Sequence, residues 1–284
     1  MKVYSWNDVL TAAPIGPSAI TIGGFDGMHL GHQALFDAVF GWKKRAAASF
    51  GLANDSGSAA SFGLANILTG AVTFKRPAGA LMNPRYPGDL FTEKMKLEYF
   101  EKRGFDFCIM IDFSQDFSKI EGRNFLDQLR KFCPAQFLAA GSDFRCGHNL
   151  DTGVAELSDY ATQNGLELKV LDDVKLFGKR VSSSLIRGAV LDGDFALAKS
   201  LLGCPYRLDC SPFEWSASSS DSSLSLIANG RTTQVLPKAG RHPVRVVFAG
   251  KESSAFLCAE GQFLRLEFPL GQKDFSTIQE IEFL

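Results

Sequence analysis

One stretch of the chain decides its fold: residues 21–32 read TIGGFDGMHLGH. The stretch begins in an apolar run at 19–23, which has the length and composition of a buried strand. It passes through a glycine-rich turn and enters a segment with helical periodicity that carries His29 and His32. A helix N-terminus presents N–H donors and a positive dipole, and glycine lets a ligand approach the backbone closely. The stretch therefore predicts a phosphate-binding turn.

The two histidines make this turn more specific than a glycine-rich turn alone. His29 and His32 are three positions apart, so we expect both in the first helical turn, where both imidazoles can face one phosphate. A single histidine at such a turn serves equally well as a cap or a packing residue. The pair, preceded by Gly-x-Phe-Asp-Gly, indicates a nucleotide site.

Around this turn the chain alternates between short apolar runs and helical patterns, from residue 19 to about residue 206. That alternation is typical of a parallel sheet with crossover helices, so the predicted fold class is α/β, Rossmann-like. Helices are predicted at 92–103 and 121–132, ended by Gly104 and Pro134. The strand candidates are 19–23, 71–74, 106–111, 136–140 and 166–171.

Beyond Tyr206 the pattern changes, and we place a domain boundary there. Residues 211–225 are rich in serine and aspartate, and short strand-like runs separated by glycine and proline follow. The sequence therefore predicts a small β-rich, barrel-like domain at 207–284. Its strand candidates are 243–248, 255–259, 263–268 and 278–283.

Composition narrows the function classes. A formal net charge of −1 gives no general attraction to nucleic acid or to an anionic membrane. The six cysteines form no CxxC pair, which favours reduced thiols. Residues 1–8 lack the apolar core of a signal peptide, and no run approaches the roughly 18 apolar residues of a membrane span. We expect a cytoplasmic protein with small-molecule partners and without nucleic-acid or membrane partners.

Residues 23–35 resemble the signature GxFDGxHxGHxxL of the bacterial FAD synthetases, which belong to the HxGH nucleotidyltransferases. Three later segments are similar to further motifs of that family, in the same order. Residues 141–147, GSDFRCG, match G-x-D/N-F-x-F-G with Cys146 in place of Phe. Residues 181–187, VSSSLIR, match SSTxIR with Ser184 in place of Thr, and 191–206 run from LDGD to LLGCPY. The resemblance covers nearly all of residues 15–206, and it implies that 1–206 form an FMN adenylyltransferase domain.

The resemblance implies transfer of AMP from ATP to FMN, which gives FAD and pyrophosphate in the presence of Mg²⁺. Asp26 is a candidate for orienting the turn or the metal, and no metal ligand is assigned. The residues to which the resemblance gives a catalytic role are His29, His32 and Arg187. Those expected to bind the nucleotide or the flavin are Gly24, Phe25, Asp26, Gly27, Thr73, Phe74, Pro77, Asp143, Phe144, Ser182, Ser183 and Ser184.

One segment departs from the family. Residues 73–78 read TFKRPA, where the family has a TFEPHP-like stretch that contacts the flavin. Thr73, Phe74 and Pro77 remain, whereas the Glu and the His are absent. We expect Lys75 and Arg76 to meet the FMN phosphate instead.

The C-terminal region departs further. Many family members carry a riboflavin kinase there with a GxPTAN-like motif, which is absent from residues 207–284. We therefore expect a reduced, kinase-inactive version of that module. The alternatives are a bifunctional kinase and synthetase with diverged motifs, another phosphate acceptor such as pantetheine phosphate or glycerol phosphate, or a catalytically silent flavin-binding protein.

An eight-residue sequence, AASFGLAN, occurs at 47–54 and again at 59–66. Two copies are too few for a solenoid, which needs about three repeats or more. We expect a local duplication that lengthens the loop between the first helix of the fold and the next strand.

Overall fold

The computed structural model describes residues 1–51, 67–77, 83, 85–114, 116–220, 223–248, 251–269 and 277–284. The chain divides into two compact units. The first comprises 1–25, 31–82 and 96–174, and the second comprises 26–30, 83–95 and 175–284. Each unit is described by itself below.

The first unit is built on a six-stranded sheet in which every neighbouring pair is parallel. The strand order is β1-β4-β3-β2-β5-β6. This arrangement confirms the predicted Rossmann-like α/β class. The strands are β1 (Lys2–Ser5), β2 (Ser18–Ile22), β3 (Leu68–Phe74), β4 (Phe107–Ile111), β5 (Ala135–Gly141) and β6 (Glu167–Leu171).

The strand order creates a natural ligand-binding edge. β2 pairs with β3 on one side and with β5 on the other, so the chain reverses its direction of travel across the sheet at β2. Open parallel sheets bind ligands beyond the carboxyl ends of their strands at such a switch point. The glycine-rich turn follows β2, and the predicted loop at 141–147 follows β5, so both begin at this edge.

Helices accompany these strands, and the two with clear sequence signals begin within one residue of their predicted positions. The helix predicted at 121–132 is observed at Gly122–Phe132, with Phe125, Leu126, Leu129 and Phe132 buried at helical spacing. The helices are α1 (Trp6–Thr11), α2 (Leu30–Gly51), α3 (Glu93–Arg103), α4 (Gly122–Phe132) and α5 (Val154–Gln163).

The duplicated sequence bears on only one of these helices. α2 continues to Gly51, so the first copy begins inside the helix. Residues 52–66, including the whole second copy, lie outside the described residues.

The second unit contains a seven-stranded antiparallel sheet, which confirms the predicted small β-rich domain. Its order is β10-β11-β14-β13-β12-β15-β9. The strands are β9 (Arg207–Asp209), β10 (Glu214–Ser220), β11 (Ser223–Asn229), β12 (Gly240–Phe248), β13 (Lys251–Glu260), β14 (Phe263–Phe268) and β15 (Glu280–Phe283). The same unit holds a short hairpin of β7 (Lys175–Leu176) and β8 (Lys179–Arg180), and the helices α6 (Ser183–Asp192) and α7 (Phe195–Leu202).

The division into units falls at 174/175, whereas the strands of the antiparallel sheet begin at Arg207. The domain boundary after Tyr206 therefore stays a prediction about the chain's organisation.

The serine-rich stretch is more ordered than its composition suggested. Residues 211–225 were expected to precede the strands, yet β10 and β11 form a hairpin there, with Glu214 opposite Asn229 and Ser220 opposite Ser223. Leu226 and Ala228 alternate along β11 and are buried, which explains the pairing. Serine side chains do not prevent the backbone from joining the ladder.

A buried carboxylate in this unit predicts a pH-dependent stability. The Asp209 carboxylate accepts hydrogen bonds from Thr92 Oγ1 at 2.9 Å and from the Ser211 amide at 3.0 Å, and Lys94 Nζ lies 3.4 Å away. Burial alone would raise the pKa of Asp209, but these hydrogen bonds and the Lys94 charge outweigh it and lower the pKa.

We expect Asp209→Asn to lower the free energy of unfolding by about 1–3 kcal/mol, the cost of weakening a hydrogen-bonded buried charge. Because the folded-state pKa is depressed, the stabilisation is complete above the unfolded pKa of about 3.9 and disappears as the pH falls through the folded pKa. Denaturant titrations should show a constant gap between wild type and variant from about pH 5 to 8, which narrows below about pH 4. A gap that widens in acid would contradict this assignment.

Candidate active site

The turn after β2 has an unusual backbone. Phe25 and Met28 adopt left-handed conformations, with φ of 42° and 48°, and Gly27 has φ of 88°. Such angles are costly for residues with side chains, of order 1–3 kcal/mol each, and they concentrate at functional sites. At Gly27 space is also limiting, because an added Cβ would lie 2.7 Å from Leu90 Cδ1. The turn therefore has a specific shape that the surrounding structure must hold.

Phe25 anchors the turn in the first unit. Its side chain is fully buried, and its ring packs edge-on against Phe36 at 5.1 Å and Phe100 at 5.8 Å between centroids. The ring of His32 also meets it edge-on, at 5.2 Å. The Phe25 side chain thus packs in the interior, while the neighbouring Gly24 is exposed.

The two histidines differ in their local setting. α2 begins at Leu30, so His32 lies in the first turn while His29 precedes the helix. The sequence predicted both in the first turn, and the left-handed Met28 explains the later start. His29 is buried, with 7% of its accessible surface exposed, and His32 is half-buried.

The Asp26 carboxylate, in the second unit, is held from several directions. It accepts the Leu90 amide at 2.9 and 3.0 Å and the Phe91 amide at 2.9 Å. It also forms a buried ion pair with the guanidinium of Arg187. A carboxylate engaged in this way supports the turn-orienting alternative for Asp26 over the metal-binding one.

Arg187 distributes its hydrogen bonds over the same group of residues. Its Nε donates to the Gly88 carbonyl at 2.9 Å, and Nη2 donates to the Tyr86 hydroxyl at 2.7 Å. The guanidinium lies over the Tyr86 ring, 4.8 Å from its centroid. Burial, and after it the Asp26 charge, raise the pKa of Tyr86, so this phenol stays protonated and can donate.

The serine run opens α6, and each serine has a different environment. Ser182 is the N-cap and accepts the Leu185 amide at 3.3 Å. Ser183 Oγ donates to the Asp26 carbonyl at 2.8 Å, which ties the start of α6 to the turn. Ser184 is exposed. Two of the three hydroxyls thus shape the second unit, and Ser184 faces solvent.

Lys96 is a residue that sequence reasoning missed. Its side chain is fully buried in the first unit, where Nζ donates to the Phe74 carbonyl at 2.8 Å and to the Gly24 carbonyl at 3.1 Å. It therefore links the segments that leave β2 and β3 at the ligand-binding edge. The only signal in the sequence was that Lys96 falls among apolar residues on one face of a helix. Lysine side chains are usually solvated, so this position did not stand out.

The residues predicted after β3 occupy the same edge. Thr73 is buried and its Oγ1 donates to the Gly24 carbonyl at 3.2 Å. Phe74 ends β3, and its ring packs against Phe113 and Phe117, each at 5.9 Å. Pro77 is half-buried. Thr73 and Lys96 therefore fix the same carbonyl of the turn.

Lys75 and Arg76 follow directly. Lys75 Nζ lies 3.5 Å from the Asp112 carboxylate, in an exposed ion pair. Such a pair is weak, about 0–1 kcal/mol, so it leaves Lys75 able to turn toward another anion.

Asp143 and Phe144, the two binding residues predicted after β5, have different environments. Asp143 is exposed, at the edge where β5 ends. Phe144 is packed in the hydrophobic core of the first unit, with Phe125 and Leu138. Asp143 therefore faces solvent near the switch point, whereas the Phe144 side chain supports the loop from inside.

Two properties of the described residues concern metals and membranes. No group of three or more His, Cys, Asp and Glu side chains in the described part of the chain is arranged to hold a metal ion. Among the described helices, none has both the length and the hydropathy needed to cross a membrane.

Together these features define a class. A parallel sheet whose switch-point strand leads through a strained, glycine-rich turn into a helix is the arrangement with which α/β proteins hold nucleotide phosphates.

Comparison with known proteins makes the class specific. A sequence model described as FAD synthetase matches residues 13–52 and 61–185, which is more than half of the chain. The chain therefore belongs to the FAD synthetase family, which confirms the resemblance drawn from its motifs. The match omits 53–60, which comprise the last two residues of the first AASFGLAN copy, the connector 55–58 and the first two residues of the second copy.

The names of two curated relatives include a second activity, riboflavin kinase. The bifunctional riboflavin kinase/FMN adenylyltransferase of Escherichia coli (strain K12) is 29% identical over 209 residues, which are 73% of this chain and 61% of that protein. The protein of the same name from Bacillus subtilis (strain 168) is 30% identical over 195 residues, 66% of this chain and 54% of that protein. The chain thus spans about three fifths or less of the length of these relatives.

A solved structure shares the fold along the whole chain. A crystal structure described as a macrolide-efflux protein from Streptococcus pneumoniae aligns with a TM-score of 0.76, at 18% identity, over 100% of this chain and 98% of that one. At this identity the likeness concerns the fold alone.

Proposed function

We propose that this chain transfers AMP from ATP to FMN, giving FAD and pyrophosphate. The observation that carries the proposal is the strained turn at 23–29 at the switch point of the sheet, in a chain of the FAD synthetase family. In this proposal the turn and the start of α2 offer backbone donors and the side chains of His29 and His32 to an anion, as phosphoryl chemistry requires.

In the proposed reaction an oxygen of the FMN phosphate attacks the α-phosphorus of ATP. The new P–O bond joins the two nucleotides, and the bond to the β-phosphate oxygen breaks and releases pyrophosphate. The attacking oxygen is already anionic at neutral pH, so no catalytic base is needed to create the nucleophile. Catalysis then depends on positioning and on stabilising the charge of the phosphoryl oxygens.

The residues take the following roles. His29 and His32 donate hydrogen bonds to the α-phosphate, and the exposed Gly24 backbone, with open space around it, leaves room for it to approach. Gly27 shapes the turn, because its left-handed backbone packs against Leu90. Ser184, exposed at the start of α6, binds a phosphate of ATP. Arg187 was expected to be catalytic. Its buried pairing with Asp26 supports a positioning role instead, in which it holds the turn through that carboxylate.

Mg²⁺ is proposed as a companion of ATP. This ion usually keeps several waters and is held largely by substrate phosphates, with one or two carboxylates. The Asp26 carboxylate is engaged by Arg187 and two amides, so the chain's own contribution is N–H donors and imidazoles. When bound, the ion would supply positive charge to the phosphates.

The flavin is assigned to the edge formed by β3 and β5. Thr73, Phe74 and Pro77 on one strand end and Asp143 on the other are the proposed contacts, and Phe144 supports their loop from the core. The proposed setting is cytoplasmic, with small molecules as the only partners and no role for nucleic acid.

A direct test incubates the purified chain with FMN, ATP and Mg²⁺ and follows FAD and pyrophosphate, with riboflavin in a parallel reaction. We expect FAD and pyrophosphate in equal amounts from FMN, and no FMN from riboflavin. The curated relatives are named for both activities, so FMN formed from riboflavin would favour the bifunctional alternative. Binding of FMN without any FAD formation would support the catalytically silent alternative.

Lys96→Met should reduce kcat/KM for FMN by about tenfold or more. The variant keeps the buried stem but removes both hydrogen bonds that fix the Gly24 and Phe74 carbonyls, and small displacements at a reacting centre are costly. Lys102→Met, on the exposed side of the same helix, is the matched control and should behave as wild type. Equal activity of the two variants would remove Lys96 from the site.

Reversing the charge at Lys75 and Arg76, as Lys75→Glu with Arg76→Glu, should raise the KM for FMN by about tenfold and leave the KM for ATP near its wild-type value. The reason is that these cations follow β3, on the flavin side of the proposed site. Equal increases in both KM values would argue against a specific contact with the FMN phosphate.

A further inference from the structure

One short segment of the second unit contacts both the Asp26–Arg187 ion pair and the loop before β12. We call residues 86–92 the strap. On one side the strap surrounds the buried ion pair: the Gly88 carbonyl accepts Arg187 Nε, and the Leu90 and Phe91 amides donate to Asp26. The strap therefore supplies three backbone contacts that fix the Asp26–Arg187 pair.

On its other side the strap is joined to the loop before β12. Asp89 forms a parallel bridge with Gln234, in which the Asp89 amide donates to the Thr233 carbonyl at 2.8 Å and the Val235 amide donates to the Asp89 carbonyl at 2.9 Å. Backbone pairing of this kind fixes the register as well as the distance. The strap is thus held at one point, with Asp89 opposite Gln234.

The Gln234 side chain strengthens this connection. Its Nε2 donates to the Leu90 carbonyl and to the Arg207 carbonyl, both at 2.9 Å, and its Oε1 accepts the Asp209 amide at 2.8 Å. Gln234 is only 2% exposed. A primary amide is the one uncharged side-chain group that donates twice and also accepts, so a carboxylate or an alkyl chain cannot make the same three bonds.

Gly88 makes the contact close. Its φ of 129° is one that side chains rarely adopt, and an added Cβ would lie 2.5 Å from the Val235 nitrogen and 2.8 Å from the Gln234 carbonyl carbon. The same residue offers its carbonyl to Arg187. Any residue other than glycine would push the strap away from the loop, and it would move the Arg187 acceptor with it.

We infer that Gln234 is a positioning residue for adenylyl transfer, acting through the strap on the Asp26–Arg187 pair. The inference rests on the proposed function and deepens it. It gives residues 207–284, which lack the GxPTAN motif, a part in the transfer reaction: β9 and the loop before β12 hold the strap, and the strap holds the turn that precedes His29.

The test compares Gln234→Leu and Gly88→Ala with the control Gln262→Leu. Gln262, in the turn between β13 and β14, is exposed and accepts the Thr232 amide at 3.3 Å. Its variant removes a glutamine hydrogen bond to the loop before β12 but leaves the three Gln234 side-chain bonds and the Asp89–Gln234 bridge in place. Gly88→Ala disturbs the contact between the strap and residues 233–235 from the strap side. It therefore keeps the test decisive if Gln234→Leu folds poorly. The measurements are kcat and KM for FMN and ATP well below the unfolding temperature, and amide hydrogen exchange at 88–92.

We expect both strap variants to lower kcat by about tenfold to a hundredfold with smaller changes in KM, and to speed exchange of the Leu90 and Phe91 amides. Gln262→Leu should match wild type in both measurements. Wild-type kcat and wild-type exchange in the two strap variants, whatever their melting temperatures, would overturn the inference. If the wild-type chain makes no FAD, the proposed function fails, and unchanged exchange at Leu90 and Phe91 would then overturn the inference on its own.

Discussion

Replacing His29 or His32 with alanine should lower kcat for FMN adenylylation by about 10² or more, with the fold intact. Each imidazole is proposed to donate a hydrogen bond to the α-phosphate as charge builds on its oxygens. Donors that act in a buried, preorganised site typically contribute factors of this size. His29 is buried directly before α2, and His32 lies half-buried in its first turn, so both are at the helix end where the α-phosphate is proposed to bind.

The control for this experiment is His148→Ala. His148 is exposed and its Nδ1 lies 2.9 Å from the Ser118 carbonyl, in a loop to which no role in phosphate binding is assigned. We expect this variant to turn over at the wild-type rate. Near-normal kcat in His29→Ala or in His32→Ala would remove that histidine from the mechanism, whereas a loss of folded protein would be visible in the far-UV circular dichroism.

Arg187→Met should have the second large effect, on stability and activity together. It leaves the Asp26 carboxylate buried without its cation, and breaking a buried pair from one side typically costs about 3–5 kcal/mol. It also removes the donors to the Gly88 carbonyl and the Tyr86 hydroxyl. We expect a lower denaturant midpoint and kcat reduced by about tenfold or more, because the turn before His29 loses its brace.

Two further variants separate positioning from general destabilisation. Arg187→Lys retains the charge but not the forked geometry, so it should recover part of the stability and less of the activity. Combining Asp26→Asn with Arg187→Met should cost clearly less than the sum of the single effects, since each single change already breaks the pair. Additive losses, or a loss as small as that of the exposed control Arg231→Met, would contradict the assigned role.

The parts of the fold that were predictable from sequence share one property: a local pattern determined them. The apolar run that becomes β2 is buried along its whole length, and Gly104 and Pro134 end their helices close to the expected positions. β14 was predicted with its observed bounds, Phe263–Phe268, because apolar and polar residues alternate along it. Such signals lie within a few residues of the structure they specify.

Two of the elements that were missed, β1 and the β10–β11 hairpin, lack a clear strand pattern in their own sequence. β1 is only four residues long and pairs with β4, about a hundred positions away in the chain, so its sequence carries no strand signal of its own. The β10–β11 hairpin was hidden by serine, whose backbone pairs as well as that of any other residue. Tertiary pairing overrides propensity in both cases.

The candidate site shows the same division. Its motifs were visible in the sequence, but the partners of those motifs were not. Arg187 was expected to be catalytic, but its pairing with Asp26, 161 positions earlier in the chain, was not predicted. Lys96 carried no motif at all, and only the fold reveals that its ammonium holds the Gly24 and Phe74 carbonyls. Long-range polar contacts of this kind have no sequence period from which they could be inferred.

The proposed transfer of AMP from ATP to FMN is tested most directly by following labelled phosphorus from ATP into the products. The chain is supplied with FMN, Mg²⁺ and ATP labelled either at the α-phosphate or at the γ-phosphate. We expect the α-label to enter FAD and the γ-label to appear only in pyrophosphate, and we expect His29→Ala to slow the formation of both labelled products alike. If the α-label stays in ATP, ADP or AMP and does not enter FAD, or if the γ-label enters a flavin, the proposed adenylyl transfer is contradicted.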